Sequence, residues 1–308
     1  SDLSHLKSHS SPTFKRRPAS YMTMGLRKLD MENWLTIDSG DYQYYAARRQ
    51  LLSEAKEEVI QCLPGGEAAC EELLGVVTQF LAKKYPREYE VFEGYLGQES
   101  IRNNVTGEEF SLKMPYNFHP LEVVARLAVE DFNILIKSEF TGKHHLLASA
   151  TLSPAGWYLR DRIGNSVTDI HSPVPQWEGK LSKPVEHYFN RLDQKSSMER
   201  SSIFIQVRPP GRSLAEILFI QEPKDFFPGN VNNLWPRDII IRRERQAFRR
   251  LPKTNAVVFT VKTSITPLVQ LPKEELEGLA AEIRSWPEDI ATYKGKGLWG
   301  RLILGYCD

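Results

Sequence analysis

Residues 238–251, DIIIRRERQAFRRL, and residues 256–265, AVVFTVKTSI, are the strongest strand patterns in this chain. Both stretches are rich in β-branched and aromatic side chains, which favour a pleated strand. The four residues between them, Pro252-Lys253-Thr254-Asn255, have the composition of a tight turn. The two stretches therefore predict an antiparallel hairpin, and this hairpin sets the expected fold class.

Helices are expected mainly before this hairpin, and strands mainly beside it. Apolar residues at helical spacing predict helices at 41–62, 67–84, 120–131, around 185–192 and at 274–286. Further strands are predicted at 132–139, 144–152 and 201–207, the first two as a second hairpin. Because neighbouring strands have short connections, we predict an α+β fold with an antiparallel sheet and a helical layer.

Charge and composition exclude several classes of protein. The 308 residues include 40 Lys and Arg and 39 Asp and Glu, a net charge of +1, which lacks the basic field of a nucleic-acid binder. No window reaches the ~18 apolar residues that span a bilayer. Three cysteines are too few and too scattered for a disulfide framework, a four-thiolate zinc site or an iron–sulfur cluster. We expect a cytoplasmic protein, with membrane attachment only through an anchor upstream of residue 1.

The chain is expected to form one domain with an arm. Residues 1–20 are rich in Ser, Lys, Arg and His with little apolar periodicity, which predicts a flexible basic N-terminal arm. Residues 21–308 are expected to form a single α+β domain. Within it, residues 295–300, GKGLWG, fit the dinucleotide fingerprint, but only eight residues follow them, too few for the required helix and strand. We therefore expect no nucleotide site on this chain.

Five arginines crowd the first strand of the hairpin: Arg242, Arg243, Arg245, Arg249 and Arg250. With a period of two, Arg242, Glu244 and Gln246 share one face. Arg243, Arg245 and Arg249 share the other. A solvated edge strand would explain any single arginine. Charges on both faces favour an anionic partner such as a carboxylate or phosphate for at least one face.

Among the seven histidines, His171 is the strongest ligand candidate. It lies in residues 170–175, IHSPVP, where two prolines stiffen the backbone. One histidine is too few for an ordinary metal site, and a packed structural histidine is the alternative. It is sufficient for haem, because the porphyrin supplies four ligands itself. His119 precedes a predicted helix and could cap it or line a cleft.

Four sequence blocks carry a family resemblance: SPAGW at 153–157, RIG at 162–164, IHSPVP at 170–175 and RERQAFRRLP at 243–252. In their order and spacing the chain resembles the haem-dependent oxidative N-demethylase α-subunit family, whose fungal members are called HRQ family proteins. The resemblance extends over roughly residues 21–295 and includes Trp34, Asp38 and Glu130-Asp131.

The resemblance implies a PAS-like fold, a sheet that grips a helix, adapted to bind haem b and to activate O₂. It implies oxidation of a carbon next to nitrogen in a small amine or secondary metabolite, with release of an aldehyde. Electrons would come from NAD(P)H through a separate reductase protein with flavin and iron–sulfur centres. The substrate stays open.

Residue roles follow from the resemblance as expectations. His171 would ligate the haem iron, Trp157 would lie beside the haem, and Glu244, Gln246 and Arg245 would be catalytic, with Glu244 and Gln246 as a proton relay. The residues expected to pair with the haem propionates are Arg242, Arg243, Arg249 and Arg250. Two alternatives stay open: a non-catalytic haem sensor with a PAS-like fold, and a haem-free protein that binds an anionic small molecule through the arginine-rich strand.

Overall fold

The computed structural model describes residues 2–7, 25–229 and 231–308. Its strands are β1 (Arg27–Lys28), β2 (Ile60–Cys62), β3 (Tyr89–Glu93), β4 (Glu99–Asn103), β5 (Glu108–Ser111), β6 (Asp131–Lys137), β7 (His144–Ala150), β8 (Met198–Val207), β9 (Ile239–Arg250) and β10 (Val257–Pro267). Its α-helices are α1 (Tyr42–Glu54), α2 (Lys56–Val59), α3 (Glu67–Lys84), α4 (Pro120–Leu127), α5 (Leu159–Arg162), α6 (Val167–His171), α7 (Ser182–Arg191), α8 (Leu214–Leu218), α9 (Lys273–Ser285), α10 (Glu288–Tyr293) and α11 (Lys296–Cys307). A π-helical turn, Trp177–Leu181, leads into α7.

Seven strands form one antiparallel sheet in the order β1-β8-β9-β10-β6-β7-β2, and β3, β4 and β5 form a separate small sheet. The predicted hairpin is the centre of the large sheet, where Val257 pairs with Arg250 and Pro267 pairs with Ile240. The predicted β6–β7 hairpin is also present. The α+β fold class is therefore confirmed.

Helices cover both faces of the large sheet. One face of β9 and β10, which carries Ala247 and Val258, packs into the main apolar cluster with α1, α3 and α4. Towards the start of β9 the same face, through Ile239 and Ile241, packs against α9 and α11. The opposite face, which carries Phe248, is covered by the segment from α5 to α7. Side chains of β9 therefore contact different helices according to the face of the sheet from which they project.

Two predicted helices are shorter than the sequence pattern indicated. The helix expected at 41–62 ends early, because Ile60–Cys62 is extended and pairs with Ala148–Ala150 at the edge of the sheet. The helix expected at 120–131 ends at Leu127, and Asp131 already begins β6. In both places the backbone hydrogen bonds of a neighbouring strand replace those of another helical turn.

Several elements were not predicted, among them the small sheet, the short helices α5 and α6, and the last two helices. Gly295 adopts a left-handed conformation, with φ of 78°, before α11. The other two glycines of the fingerprint, Gly297 and Gly300, lie inside α11. This segment therefore forms a helix at the end of the chain and not the turn between a strand and a helix.

Of the predicted N-terminal arm, residues 1–20, the structure describes only residues 2–7. Leu3 is buried in the main cluster, and Nε2 of His5 lies 2.6 Å from Oε1 of Glu88. The remaining arm residues, 1 and 8–20, lie outside the described residues. Across the described residues, no helix combines the length and the apolar surface that crossing a membrane requires.

Candidate functional site

A row of hydrogen-bonded side chains lies on the β9 face that α5–α7 cover. Glu244 and Gln246 project from β9, and Arg200 of β8 lies directly opposite Gln246 in the ladder. Nε of Arg200 donates to Oε1 of Gln246 at 2.5 Å, and Nε2 of Gln246 donates to Oε2 of Glu244 at 2.9 Å. Glu244 and Gln246 are both buried. The strand period thus places two of the three predicted catalytic side chains, Glu244 and Gln246, in one connected row.

His171 is the last residue of α6, a short helix that Ser166 caps by accepting a hydrogen bond from the amide of Asp169. Its ring Nδ1 donates to the carbonyl oxygen of Val167 at 2.8 Å. The ring also stacks on Trp177, with centroids 4.5 Å apart and planes 21° apart. These two contacts define the orientation of the ring. Nε2 has no hydrogen-bond partner among the described residues, so its lone pair is available to a ligand.

Electrostatics keep this ring neutral. Burial lowers the pKa of His171 to about 4, and the positive charges of Arg162 and Arg200 also lower it, against the opposing effect of the Val167 hydrogen bond. An imidazole ligates a metal through a ring nitrogen that carries no proton, so the ring must be neutral. At neutral pH His171 therefore meets the electronic requirement of a metal ligand without a preceding deprotonation.

Arg162, the last residue of α5, is a partly buried cation next to this site. Its guanidinium stacks over the ring of Trp157, with 4.0 Å from Cζ to the ring centroid. Burial lowers its pKa to about 10, while the charges of Tyr293 and Glu244 act in the opposite direction. In the part of the chain that the structure describes, Arg162 makes no hydrogen bond and no ion pair. A partly desolvated arginine of this kind favours an anionic ligand.

Most arginines predicted to bind a cofactor have partners within the protein. Arg242 is fully buried and donates to the carbonyl oxygens of Ser153, at 2.7 Å, Pro154, at 3.1 Å, and Leu218, at 3.1 Å. Arg250 donates to the carbonyl oxygens of residues 189, 192 and 255. Both therefore connect β9 to neighbouring loops and helices.

The other three arginines project from the opposite face of β9, away from His171. Arg243 pairs with Glu275 at 2.9 Å, and Arg245 pairs with Glu199 at 2.7 Å. Arg249 stacks over Trp34, with 4.2 Å from Cζ to the ring centroid. The structure thus brings Glu244, Gln246, His171 and Trp157 to one side of the sheet and places Arg243, Arg245 and Arg249 on the other.

Sequence reasoning did not assign a role to Arg162 or Arg200. Arg162 lies in the RIG block at 162–164 and could have been noticed there. No sequence signal distinguishes Arg200, because its role depends on the register that sets it opposite Gln246.

Two cavities of the fold, of about 360 and 490 Å³, are lined by other residues and do not include His171. Donor chemistry, and not cavity size, therefore distinguishes the site around His171.

The residues around His171 fit a haem group. A neutral imidazole with an available nitrogen supplies the one protein ligand that a porphyrin iron needs. Arg162, which has no anionic partner among the described residues, suits a propionate carboxylate. The donor set of this α+β chain is therefore compatible with a haem group.

The family assignment agrees with this chemistry. The family model described as haem-dependent oxidative N-demethylase, alpha subunit-like, matches residues 25–304. The chain belongs to this family.

Proposed function

We propose that this chain binds haem b through His171 and oxidises a carbon next to nitrogen in a small amine or secondary metabolite. The observation that carries the proposal is the hydrogen bonding and the neutral charge of the His171 ring. Its Nδ1 donates to Val167, and Nε2 keeps a lone pair on a ring that stays neutral because its pKa is lowered to about 4. A backbone carbonyl that holds the second ring nitrogen is the usual support of a metal-ligating histidine.

We propose that Arg162 and Arg200 pair with the haem propionates, in preference to the arginines of β9. Both lower the pKa of His171 through their charge, so both lie close to its ring. Arg162 also stacks on Trp157, which gives that tryptophan a role in positioning the propionate-binding guanidinium. By contrast, Arg243 and Arg245 lie on the other face and already pair with glutamates.

Glu244 and Gln246 would take part in proton transfer. Oε2 of Glu244 accepts the hydrogen bond from Gln246, whereas Oε1 has no partner among the described residues. Oε1 can therefore take a proton from a bound ammonium or pass one to a reacting oxygen. The amide of Gln246, held by Arg200, orients the carboxylate.

Bound haem would supply the activation of O₂ with two electrons from a separate reductase protein. Overall, O₂, two electrons, two protons and an N-methyl group would give an N-hydroxymethyl group and water. The hydroxymethyl C–N bond then breaks to give an aldehyde and the shorter amine. The family name, which describes an alpha-subunit-like chain, supports a partner of this kind.

Spectroscopy tests the proposal. The protein is produced with ample haem precursor, and its absorption is recorded as isolated, after dithionite, and with carbon monoxide. We expect a stoichiometric Soret band of the histidine-ligated type that shifts with carbon monoxide. The His171→Ala variant should lose most of its haem, while the matched control His187→Ala, an exposed histidine of α7, should keep it.

A protein that stays colourless when haem is supplied would contradict the proposal. Full haem retention with an unchanged spectrum in His171→Ala would instead remove His171 as the ligand and direct the search to another histidine. If haem binds, methylated amines and secondary metabolites are screened with O₂ and a reductase system for aldehyde release.

A further inference from the structure

Cys62, Cys70 and His119 meet in a cluster that shares no residue with the proposed haem site. Their ligand atoms all lie within 4.8 Å of one another. Cys62 ends the edge strand β2, Cys70 lies in the first turns of α3, and His119 is the N-cap of α4. Three segments separated along the chain thus place two thiols and an imidazole in one cluster.

The spacing of the two sulfur atoms matches a tetrahedral metal site. The Sγ atoms of Cys62 and Cys70 are 3.8 Å apart. Two thiolates at a zinc–sulfur distance of ~2.3 Å and a tetrahedral angle lie ~3.8 Å from each other. A disulfide would require about 2.05 Å. The separation of the sulfur atoms therefore fits a shared metal ion, whereas a disulfide would require them to move closer.

The surroundings favour a cation of this kind. Glu67 acts on both Cys62 and Cys70 through its negative charge. Glu122, Glu67 and Glu71 act on His119 through their negative charge, so carboxylates lie near the imidazole as well.

Burial differs across the cluster and leaves one side open. Cys70 is buried, Cys62 is partly buried, and His119 is exposed. The cluster is therefore accessible to solvent at His119, so water or a carboxylate can supply a fourth ligand. Two thiolates and one imidazole are ligands that zinc accepts and that magnesium and calcium do not favour.

We propose that Cys62, Cys70 and His119 bind one zinc ion that joins β2, α3 and the start of α4. Binding replaces the two thiol protons, which pass to solvent, so zinc uptake releases protons. This site is separate from the proposed haem site and does not depend on it.

His119 has a second role that zinc binding would change. Its Nδ1 accepts a hydrogen bond from the amide of Leu121 at 3.1 Å. A neutral imidazole has one lone pair, so zinc must either take this lone pair or shift the ring proton to Nδ1. In either case the Leu121 amide loses its side-chain acceptor, and its hydrogen exchange should change when zinc binds.

The test uses the full chain, purified under reducing conditions. Zinc content is measured by mass spectrometry of the metal, and affinity by competition with a chromophoric zinc chelator. We expect one zinc per chain and at least tenfold weaker binding in Cys62→Ser and in His119→Ala. Both side chains are at least partly exposed, so these variants disturb folding less than a change at buried Cys70. The matched controls Cys307→Ser and His187→Ala should bind zinc as the unchanged chain does.

His171→Ala should also keep its zinc, which separates this site from the haem site. Unchanged zinc affinity in both Cys62→Ser and His119→Ala would overturn the proposal. So would the absence of zinc binding at micromolar concentration in the unchanged chain. A Cys62–Cys70 disulfide in protein purified with zinc present would overturn it in favour of a redox pair.

Discussion

His171 and Val167 lie one helical turn apart in α6, and Nδ1 of His171 donates to the carbonyl oxygen of Val167 at 2.8 Å. This contact determines which ring nitrogen carries the proton. It therefore leaves Nε2 as the nitrogen with a lone pair. Because Trp177 stacks on the ring as well, the direction of that lone pair is set before any ligand arrives.

The first prediction concerns the titration of His171 in the haem-free protein. Its pKa is lowered to about 4, below the ~6.5 of an unperturbed histidine. Between these two pH values the unfolded chain binds more protons than the folded chain. The contribution of His171 to the free energy of unfolding is therefore fully present above about pH 6.5 and is lost as the pH falls towards 4. Histidine NMR across this range, with His171→Ala to assign the signal, measures the pKa. A pKa of 6 or above would contradict the buried, neutral ring.

The second prediction concerns Arg162. Replacing it by Leu removes a proposed charge-assisted bond to a propionate, worth ~1.5–3 kcal/mol, so haem affinity should fall about 10- to 150-fold. The loss of its charge should also raise the pKa of His171. Haem titration and histidine NMR measure the two effects. The matched control is Arg243→Leu, which removes an arginine that pairs with Glu275 on the other face of β9. Equal losses of affinity in both variants would contradict the assignment.

The third prediction concerns Glu244. Glu244→Gln keeps the shape of the side chain but removes the carboxylate that would accept a proton. We expect unchanged haem content and turnover that is slower by a factor of ~10²–10⁴. The pH dependence of turnover should also change, which a purely structural role would not produce. Glu275→Gln, on the opposite face, is the control and should turn over normally. Turnover at the unchanged rate in Glu244→Gln would remove Glu244 from the mechanism.

The fourth prediction concerns Arg242, for which we predict a structural role because its buried guanidinium donates to carbonyl oxygens of the protein. Arg242→Met leaves the carbonyl oxygens of Ser153, Pro154 and Leu218 without this donor. Each buried carbonyl that loses its partner costs ~1–3 kcal/mol, so the free energy of unfolding should fall by about 3 kcal/mol or more. Urea denaturation measures it. The control Arg212→Met removes an exposed arginine paired with Glu216 and should change stability by less than about 0.5 kcal/mol. A loss below about 1 kcal/mol in Arg242→Met would contradict this role.

The sequence alone predicted the features that depend on local periodicity. The alternation along β9 put Glu244 and Gln246 on one face, and the turn residues 252–255 joined β9 to β10. The proline-rich segment after His171 marked that histidine as a ligand candidate. Strand alternation, turn chemistry and proline stiffness all act within a few residues, so they can be read without knowing what packs against them.

Only the tertiary structure decided the partners of these residues. The register between β8 and β9 sets Arg200 opposite Gln246, and the carbonyl oxygens that Arg242 contacts come from remote segments. One of the zinc ligands that we propose is also distant in sequence from the other two, since His119 follows Cys70 by 49 positions. Hydrogen-bond partners, burial and charge neighbours depend on which segments pack together. Two arginines or cysteines of similar local sequence can therefore have different roles, and the fold alone distinguishes them.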